Sequence, residues 1–312
     1  MQRTIFDPEH HLFRESVEHF VSTAIAPNHA RWTEEGKVDK AMFRAAGGQG
    51  LLGMAIPEQY GGGGNDDFRY SAVIDEVVTA SGASASGLCI TLHNDICLPY
   101  FLSYCDEEQC RRWYPGLISG DLMTAIAMTE PGTGSDLAGI KTSAARDGDD
   151  YIVDGSKTFV TNGINADLVI VVVRTGLDPH GGLTPLVVED GMHGFERGRN
   201  LDKMGMHAQD TSELFFTDVR VPAANRLGPE GMGFMQLVAN LPQERLSIAV
   251  GAWRPRRLRS PSPSPMRRNE RLLGVQSDVS STIASSSPSS RPRSTSAGCS
   301  STAPSRTTSP AD

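Results

Sequence analysis

Residues 125–136 of this chain read Ala-Ile-Ala-Met-Thr-Glu-Pro-Gly-Thr-Gly-Ser-Asp, and residues 157–163 read Lys-Thr-Phe-Val-Thr-Asn-Gly. The apolar start of the first stretch is typical of a buried strand. Pro131 and Gly132 then favour a sharp turn, because proline presets one turn position and glycine accepts a positive φ at the next. Gly134 keeps side-chain bulk away, so that a flat or anionic ligand can approach the backbone amides that follow.

The second stretch adds an aromatic ring and a hydroxyl to this turn. Phe159 and Thr161 are two residues apart, which places both on one face of a strand. A turn with backbone amide donors beside an aromatic side chain predicts a binding site for a planar heterocycle. An ordinary β domain with a Gly/Pro turn and a Thr-Asn-Gly hairpin has the same residues, so the residues alone leave both interpretations open. A Rossmann dinucleotide site is excluded, because Leu137 occupies the third glycine position of that motif.

Length, charge and cysteine usage restrict the class of protein. The chain has 312 residues, enough for two domains and a sizeable core. Its net charge of −8 gives no support for nucleic-acid binding, and no apolar run is long enough to span a membrane. The five cysteines include no Cys-x-x-Cys pair, which favours reduced thiols over disulfides or zinc. With no signal-peptide layout at the N-terminus, these features predict a cytoplasmic protein.

The only acid and histidine cluster near the N-terminus does not predict a metal. Glu9, His10 and His11 are adjacent in sequence, but they lack the ligand spacing of a metal site. We interpret them as a solvated helix face, and we predict no metal for this chain.

Hydrophobic periodicity predicts an α+β multidomain fold. Residues 1–122 have helical spacing and form a predicted N-terminal helical domain. Residues 123–225 have short strands separated by turns, which predicts a middle antiparallel β-sandwich or barrel domain that holds the candidate ligand site. Residues 226–253 begin a C-terminal helical domain with one helix, which Pro242 kinks. Residues 254–312 form an Arg/Ser/Pro-rich tail.

Three Asx-Gly pairs predict hairpin turns inside the β domain. They are Asp147-Gly148, Asp154-Gly155 and Asn162-Gly163. Each pair lies between alternating or apolar runs, and such pairs accept the positive φ values of tight hairpin turns.

The tail has a composition unlike the rest of the chain. Residues 254–312 contain ten Arg, no Lys and three acidic residues, a net charge of +7. The tail lacks apolar periodicity and is predicted to be disordered. A basic tail can contact RNA or phosphate, but the absence of aromatic residues argues against stacking on single strands. We interpret the tail as a frameshifted translation of a helical domain, because out-of-frame GC-rich codons yield Arg, Pro, Ser and Ala.

Several segments resemble one enzyme family. Residues 128–136 and 155–163 closely resemble the flavin-binding signatures of acyl-CoA dehydrogenases. The other similar segments are residues 55–62, 210–222 and 241–246. Together they cover roughly residues 5–252 in the order and spacing of the family. The resemblance implies an N-terminal helical domain, a middle β domain and a C-terminal helical bundle.

The resemblance also implies an FAD cofactor and the residues that contact it. Thr161 would reach the reactive edge of the flavin, and Phe159 would stack on its ring, where the family often has Trp. The full set of implied flavin contacts is Ile126, Ala127, Met128, Thr129, Gly134, Ser135, Phe159, Val160 and Thr161.

The implied catalytic base is Glu244, which lies in a Glu-Arg-Leu context like that of long-chain and isovaleryl-type members. Other members carry the base later, in the bundle. A buried carboxylate is a stronger base, as removal of an α proton requires. The implied substrate contacts are Ser135, Pro242, Gln243 and Arg245. From the residues alone, the sequence Glu244-Arg245 on a helix is typical of a solvated ion pair, and only the resemblance favours a catalytic role.

The function that follows from the resemblance is FAD-dependent dehydrogenation of a fatty acyl-CoA to the trans-2-enoyl-CoA. The electrons would pass to an electron-transfer flavoprotein, and the family forms dimers or tetramers. Two alternatives stay open: a truncated, inactive fragment with poor FAD binding, and a flavin oxidase of the same fold.

Overall fold

Helices precede the strands along the chain in this computed structural model, which describes residues 4–252. The α-helices are α1 (Pro8–Phe20), α2 (His29–Glu35), α3 (Lys40–Gly48), α4 (Phe68–Ala80), α5 (Ser84–Thr91), α6 (Leu98–Tyr104), α7 (Glu107–Ser119) and α8 (Gly233–Ala252). Short π-helical turns at Val21–Ile25 and Leu92–Cys97 extend α1 and α5. The second of these is called the π segment below.

Local capping residues explain where the helices begin and end. Pro8 opens α1 directly after Asp7, as the sequence predicts. The Asp106 side chain accepts a hydrogen bond from the Gln109 amide at 2.9 Å, and the Gln109 side chain accepts one from the Asp106 amide at 3.0 Å. This capping box fixes the start of α7. The helix ends at Gly120, whose φ of 78° suits glycine.

The interpretation of the N-terminal histidines as a solvated face is wrong for His10, which is fully buried. Its Nδ1 accepts the Asp7 amide hydrogen at 3.2 Å, and its Nε2 lies 3.3 Å from Asp67 Oδ2. Asp7, Glu9 and His10 place ligand atoms within 4.8 Å of one another. Because two of these three residues are exposed and both His10 nitrogens already face other groups, the cluster does not change the prediction of no metal.

The strands form one curled sheet. They are β1 (Thr124–Ala127), β2 (Ser143–Asp147), β3 (Asp150–Thr161), β4 (Leu168–Arg174), β5 (Leu183–Glu189), β6 (Phe195–Asn200) and β7 (Thr211–Pro222). The order across the sheet is β1-β4-β2-β3-β7-β6, with β5 paired to β4. Most pairs are antiparallel, as predicted, but β1 runs parallel to β4 with Thr124 opposite Leu168.

One of the three predicted hairpins is present. Asp147 pairs with Asp150 across Gly148, which closes the β2–β3 hairpin. The other two predictions are wrong. Gly155 lies inside β3 at a bulge, with a φ of 146°, and a Cβ there would lie 2.6 Å from Thr142 Oγ1. Asn162-Gly163 is a turn, but the strands on either side of it do not pair with each other: β3 pairs with β2 and β7, whereas β4 pairs with β1, β2 and β5.

Strand β4 contributes side chains to two hydrophobic cores, and one of these cores also contains residues of the helices. Its side chains alternate between the two faces of the sheet. Leu168, Ile170 and Val172 belong to a core that includes residues of α6 and α7. Val169, Val171 and Val173 belong to a second core on the opposite face. This double burial accounts for an uninterrupted apolar strand.

Helix α8 follows the sheet and packs on α4 and the π segment. It begins at Gly233, and Pro242 lies inside it, as predicted. Its outer side has exposed apolar residues, namely Met235, Val238, Leu246 and Ile248. The predicted fold class, with helices first, then a β domain, then the first helix of a further domain, is confirmed. The predictions for residues 254–312 lie outside the described residues.

A membrane-spanning helix is not found within residues 4–252, where none combines the length and the apolar character that a span requires.

Candidate active site

The structure brings the two stretches around residues 125–136 and 157–163 together. The Thr158 amide donates to the Thr129 carbonyl at 2.9 Å, and Lys157 Nζ donates to the Met128 carbonyl at 3.0 Å. These bonds hold the turn after β1 against the end of β3. The sequence predicted that both stretches form one site, and their contact is consistent with that prediction.

A buried ion pair anchors this turn. Lys157 Nζ lies 2.9 Å from Glu130 Oε1, and both side chains are buried. Glu130 also accepts the backbone amides of Lys141 and Thr142, each at 2.8 Å. Burial opposes ionisation of Glu130, but the hydrogen bonds from Thr142 and Lys157 prevail and lower its pKa. Burial lowers the pKa of Lys157 to about 8, although Glu130 opposes that shift.

Phe159 presents an apolar ring at the end of β3. Its side chain is 68% exposed, whereas its neighbour Val160 is buried and Thr161 is half-buried. A β-bulge separates Lys157 from Val160 in the pairing with β7, and Phe159 adopts a φ of 58°. A positive φ is unfavourable for a bulky residue and is often retained at functional sites. An exposed aromatic ring in this conformation fits contact with a flat ligand.

The remaining predicted flavin contacts differ in accessibility. Ala127 is fully buried, backbone included. Ile126, Met128 and Thr129 are half-buried, and Gly134 and Ser135 are exposed.

Glu244 is buried and has a tyrosine as its partner. Its side chain is 7% exposed, and the Tyr100 hydroxyl donates to its Oε1 at 2.9 Å. Burial raises the pKa of Glu244, and the Tyr100 hydrogen bond and the charge of Arg245 partly oppose this shift. The alternative of a solvated ion pair between Glu244 and Arg245 is therefore excluded. The sequence did not single out Tyr100, because a tyrosine within an apolar helix is usually part of the core.

The predicted substrate residues on α8 differ in their contacts and in their exposure to solvent. Gln243 Nε2 donates to the Asp95 carbonyl at 3.1 Å. Gln243 also lines a cavity of ≈ 230 Å³ together with Asn94 and Leu98. Pro242 and Arg245 are exposed on the helix.

One hydrophobic core connects helix α8 with the first flavin stretch, residues 125–136. Leu237 of α8 is buried in the same core as Leu98, and Ile126 and Met128 pack against that core. Helix α8 and the turn after β1 therefore rest on one apolar cluster, which fixes their relative position.

The sequence of the chain matches two models of one protein family. Residues 7–121 match "Acyl-CoA dehydrogenase, N-terminal domain", and residues 125–219 match "Acyl-CoA dehydrogenase, middle domain". The chain belongs to the acyl-CoA dehydrogenase family.

Individual acyl-CoA dehydrogenases are similar to this chain in sequence and in structure. The chain is 47% identical over 250 residues to the mitochondrial long-chain specific acyl-CoA dehydrogenase of Sus scrofa, covering 79% of this chain and 57% of that protein. It is similar to the crystal structure of acyl-CoA dehydrogenase from Geobacillus kaustophilus, with a TM-score of 0.77 and 47% identity, covering 80% of this chain and 66% of that one.

A third acyl-CoA dehydrogenase contains a ligand. The structure from Bacillus anthracis, described as complexed with FAD, has a TM-score of 0.74 and 30% identity, covering 80% of this chain and 43% of that one.

The chain spans little more than half the length of the pig relative, 57% of it.

Proposed function

We propose that this chain acts, as part of an acyl-CoA dehydrogenase, in the FAD-dependent conversion of a fatty acyl-CoA to the trans-2-enoyl-CoA. The observation that carries the proposal is the buried carboxylate of Glu244 beside Tyr100. The names of the pig and Geobacillus relatives support the same activity. The electrons would pass to an electron-transfer flavoprotein.

The residues at the end of β3 fit an FAD cofactor. The exposed ring of Phe159 offers an aromatic face, and Thr161 offers a hydroxyl two residues further along. The other residues that would hold FAD are Ile126, Ala127, Met128, Thr129, Gly134, Ser135 and Val160. When bound, FAD supplies the acceptor for the hydride that leaves the β carbon.

Glu244 would take the α proton of the thioester. Burial destabilises its charged form and makes it a stronger base than an exposed carboxylate. The Tyr100 hydroxyl would hold the Glu244 carboxylate in place before the proton moves. Ser135, Pro242, Gln243 and Arg245 remain the proposed contacts of the CoA thioester.

One experiment tests this function. The purified chain is loaded with FAD, and acyl-CoAs of increasing chain length are added without oxygen while the flavin absorbance is followed. Bleaching by an acyl-CoA supports the proposal, and stoichiometric FAD without bleaching by any of them contradicts it. Rapid reoxidation on admission of air would favour the oxidase alternative, whereas slow reoxidation favours transfer to an electron-transfer flavoprotein.

The expected oligomeric state, cellular location and domain limits are separate from this activity. The dimer or tetramer, the cytoplasmic location and the domain limits at residues 122, 225 and 253 stay predictions. The pig relative is named as a mitochondrial protein.

A further inference from the structure

Two cysteines lie together at the corner between α6 and α7, and the proposed function uses neither of them. Cys105 follows the last residue of α6, and Cys110 is the fourth residue of α7. Both thiols are free in the structure.

The capping of α7 places these two side chains against each other. Asp106 is the N-cap residue and forms a capping box with Gln109, so Cys105 immediately precedes the cap and Cys110 immediately follows the box. Side chains at these two positions commonly pack on each other as a hydrophobic staple. Cys105 and Asp106 have extended backbone, with ψ of 140° and 176°, which is usual where the chain enters a capped helix.

The packing of the corner agrees with a contact between the thiols. Cys110 belongs to the core that contains Phe101 and Trp113, and Cys105 packs against the same core. Burial raises the pKa of the Cys105 thiol, and the neighbouring Cys110 thiol and the Asp106 carboxylate raise it further. The staple of α7 is therefore a pair of neighbouring thiols.

The two thiols differ in their access to solvent. Cys105 is half-buried, and the three residues that follow it, 106–108, are exposed. Cys110 is buried. A small reagent therefore meets Cys105 first, and Cys110 lies where a resolving thiol is required.

The start of α7 also holds the segment that leads to α8. Gln109 Nε2 donates to the Ala224 carbonyl at 2.7 Å and to the Arg226 carbonyl at 2.8 Å. Because Cys105 and Cys110 lie on either side of the capping box, a covalent bond between them would fix the box and the segment that Gln109 holds.

We propose that Cys105 and Cys110 form a thiol–disulfide exchange site, which reacts with a low-molecular-weight organic disulfide and closes the α6–α7 corner with a reversible disulfide bond. The Cys105 thiolate attacks one sulfur of the small disulfide and releases a first small thiol, which leaves a mixed disulfide at Cys105. The Cys110 thiolate then attacks Cys105 Sγ and releases the second small thiol. The two protein thiols are oxidised to one disulfide, and the small disulfide is reduced to two thiols.

The burial of the pair determines how the two steps compare. Little Cys105 thiolate is present at neutral pH, so the first step is slow and is accelerated at alkaline pH. The second step is intramolecular and joins groups that the fold already holds in contact. We therefore expect the folded chain to accumulate the closed disulfide rather than the mixed disulfide.

The test follows the purified full chain in glutathione buffers at mildly alkaline pH. The chain is quenched with acid, alkylated in denaturant and cleaved by a glutamate-specific protease. Cleavage after Glu107 or Glu108 separates Cys105 from Cys110, so a disulfide between them leaves two peptides joined in the mass spectrum. We expect this joined pair, without bound glutathione, and we expect a reductant to separate it. Two free thiols, or glutathione retained at Cys105, overturn the proposal.

A second titration shows whether the fold brings the thiols together. The same buffers are applied in urea that unfolds the chain. At a fixed concentration of reduced glutathione, we expect the folded chain to close the disulfide at a concentration of glutathione disulfide at least about tenfold lower. Equal concentrations would mean that the short spacing in the sequence alone joins the thiols, and they overturn the proposal.

Substitutions identify the two sulfur atoms. Cys105→Ala abolishes the joined pair, and Cys110→Ala stops the reaction at the mixed disulfide of Cys105. The matched control Cys89→Ala removes a buried thiol of a different core and keeps the joined pair. A joined pair that survives in Cys105→Ala overturns the proposal.

Discussion

The Tyr100 hydroxyl of α6 donates a 2.9 Å hydrogen bond to the Glu244 carboxylate of α8, although the two residues are 144 positions apart. Both side chains are buried. The bond therefore links the N-terminal helices to the helix that follows the sheet, at the group proposed to remove the α proton. A hydrogen bond to a charged acceptor in a buried site is strong enough to hold that oxygen in one position.

Replacing Glu244 by Gln tests the base directly. The amide keeps the shape of the side chain but cannot accept the α proton. We expect flavin reduction by acyl-CoA to slow by roughly 100- to 10,000-fold, the usual contribution of general-base catalysis, with little change in acyl-CoA binding. Stopped-flow absorbance measures the rate, and exposed Glu34→Gln serves as control. A variant that reduces flavin nearly as fast as the parent would place the base elsewhere.

Tyr100→Phe tests the partner of the base through the pH dependence of the reaction. The Tyr100 hydrogen bond lowers the pKa of Glu244, so its removal raises that pKa further. The reaction requires the deprotonated carboxylate, and its rate rises as pH increases through this pKa. We expect the rising limb of the pH–rate profile to move to higher pH. Tyr104→Phe, on the same helix, should leave it in place, and an unmoved limb in Tyr100→Phe would contradict the prediction.

Lys157→Met tests the ion pair beneath the turn after β1. The change leaves the buried Glu130 carboxylate without its cation. Removing one partner of a buried pair costs about 3–5 kcal/mol, so the free energy of unfolding should fall by that order in urea titrations. The double variant with Glu130→Gln should recover part of the loss. Lys141→Met, an exposed lysine near the same turn, should change it little; a similar loss there would argue against the pair.

Thr161→Ala tests the hydroxyl at the proposed reactive edge of the flavin. Loss of one neutral hydrogen bond should weaken FAD binding by about 1 kcal/mol or slow flavin reduction to a similar extent. Fluorescence titration of FAD measures the affinity, and Thr217→Ala on the exposed side of β7 is the control. Unchanged affinity and rate would mean that the end of β3 has only a structural role.

Asp75→Asn tests, through stability, the buried carboxyl of Asp75, which contacts Ser247 together with the buried carboxyl of Asp95. Burial, and then the charge of Asp95, raises the pKa of Asp75 from its ordinary 3.8 to about 8. Because the folded value is the higher one, the stability it contributes is present below pH 3.8 and is lost as pH rises through 8. Asparagine does not titrate, so the variant should gain stability relative to the parent across this window. Denaturant titrations at several pH values measure the difference, and parallel curves would contradict it.

The sequence by itself determined the elements and their order. The Asp7-Pro8 start of α1, the Pro131-Gly132 turn after β1 and the apolar run of β4 are local patterns. Their preferences act between neighbours in the chain, so they can be recognised without a partner. The two stretches proposed to bind flavin were recognised by their resemblance to the flavin-binding signatures of the family, because the residues alone also fit an ordinary β domain.

Apart from the β2–β3 hairpin, which Asp147-Gly148 predicted, the pairing of the strands was decided by the tertiary structure. Asn162 is followed by Gly163, which favours a hairpin, yet β4 pairs with β1 and β5 because its two apolar faces are buried there. The same holds for His10, which sequence spacing placed in solvent and which the packing of α1 against α4 buries. Burial of a large apolar surface in the tertiary structure outweighs the conformational preference of a short local segment.

The chemistry of the site was also decided by the tertiary structure. Glu244 was identified by the resemblance of its Glu-Arg-Leu context to that of long-chain and isovaleryl-type members, but its burial, its tyrosine partner and the nearby Asp75 and Asp95 pair were not foreseen. These partners come from α4, the π segment, α6 and α8, which are far apart in the chain. A pKa depends on solvent exclusion and on the charges nearby in space, and the order of residues along the chain specifies neither until the fold brings those groups together.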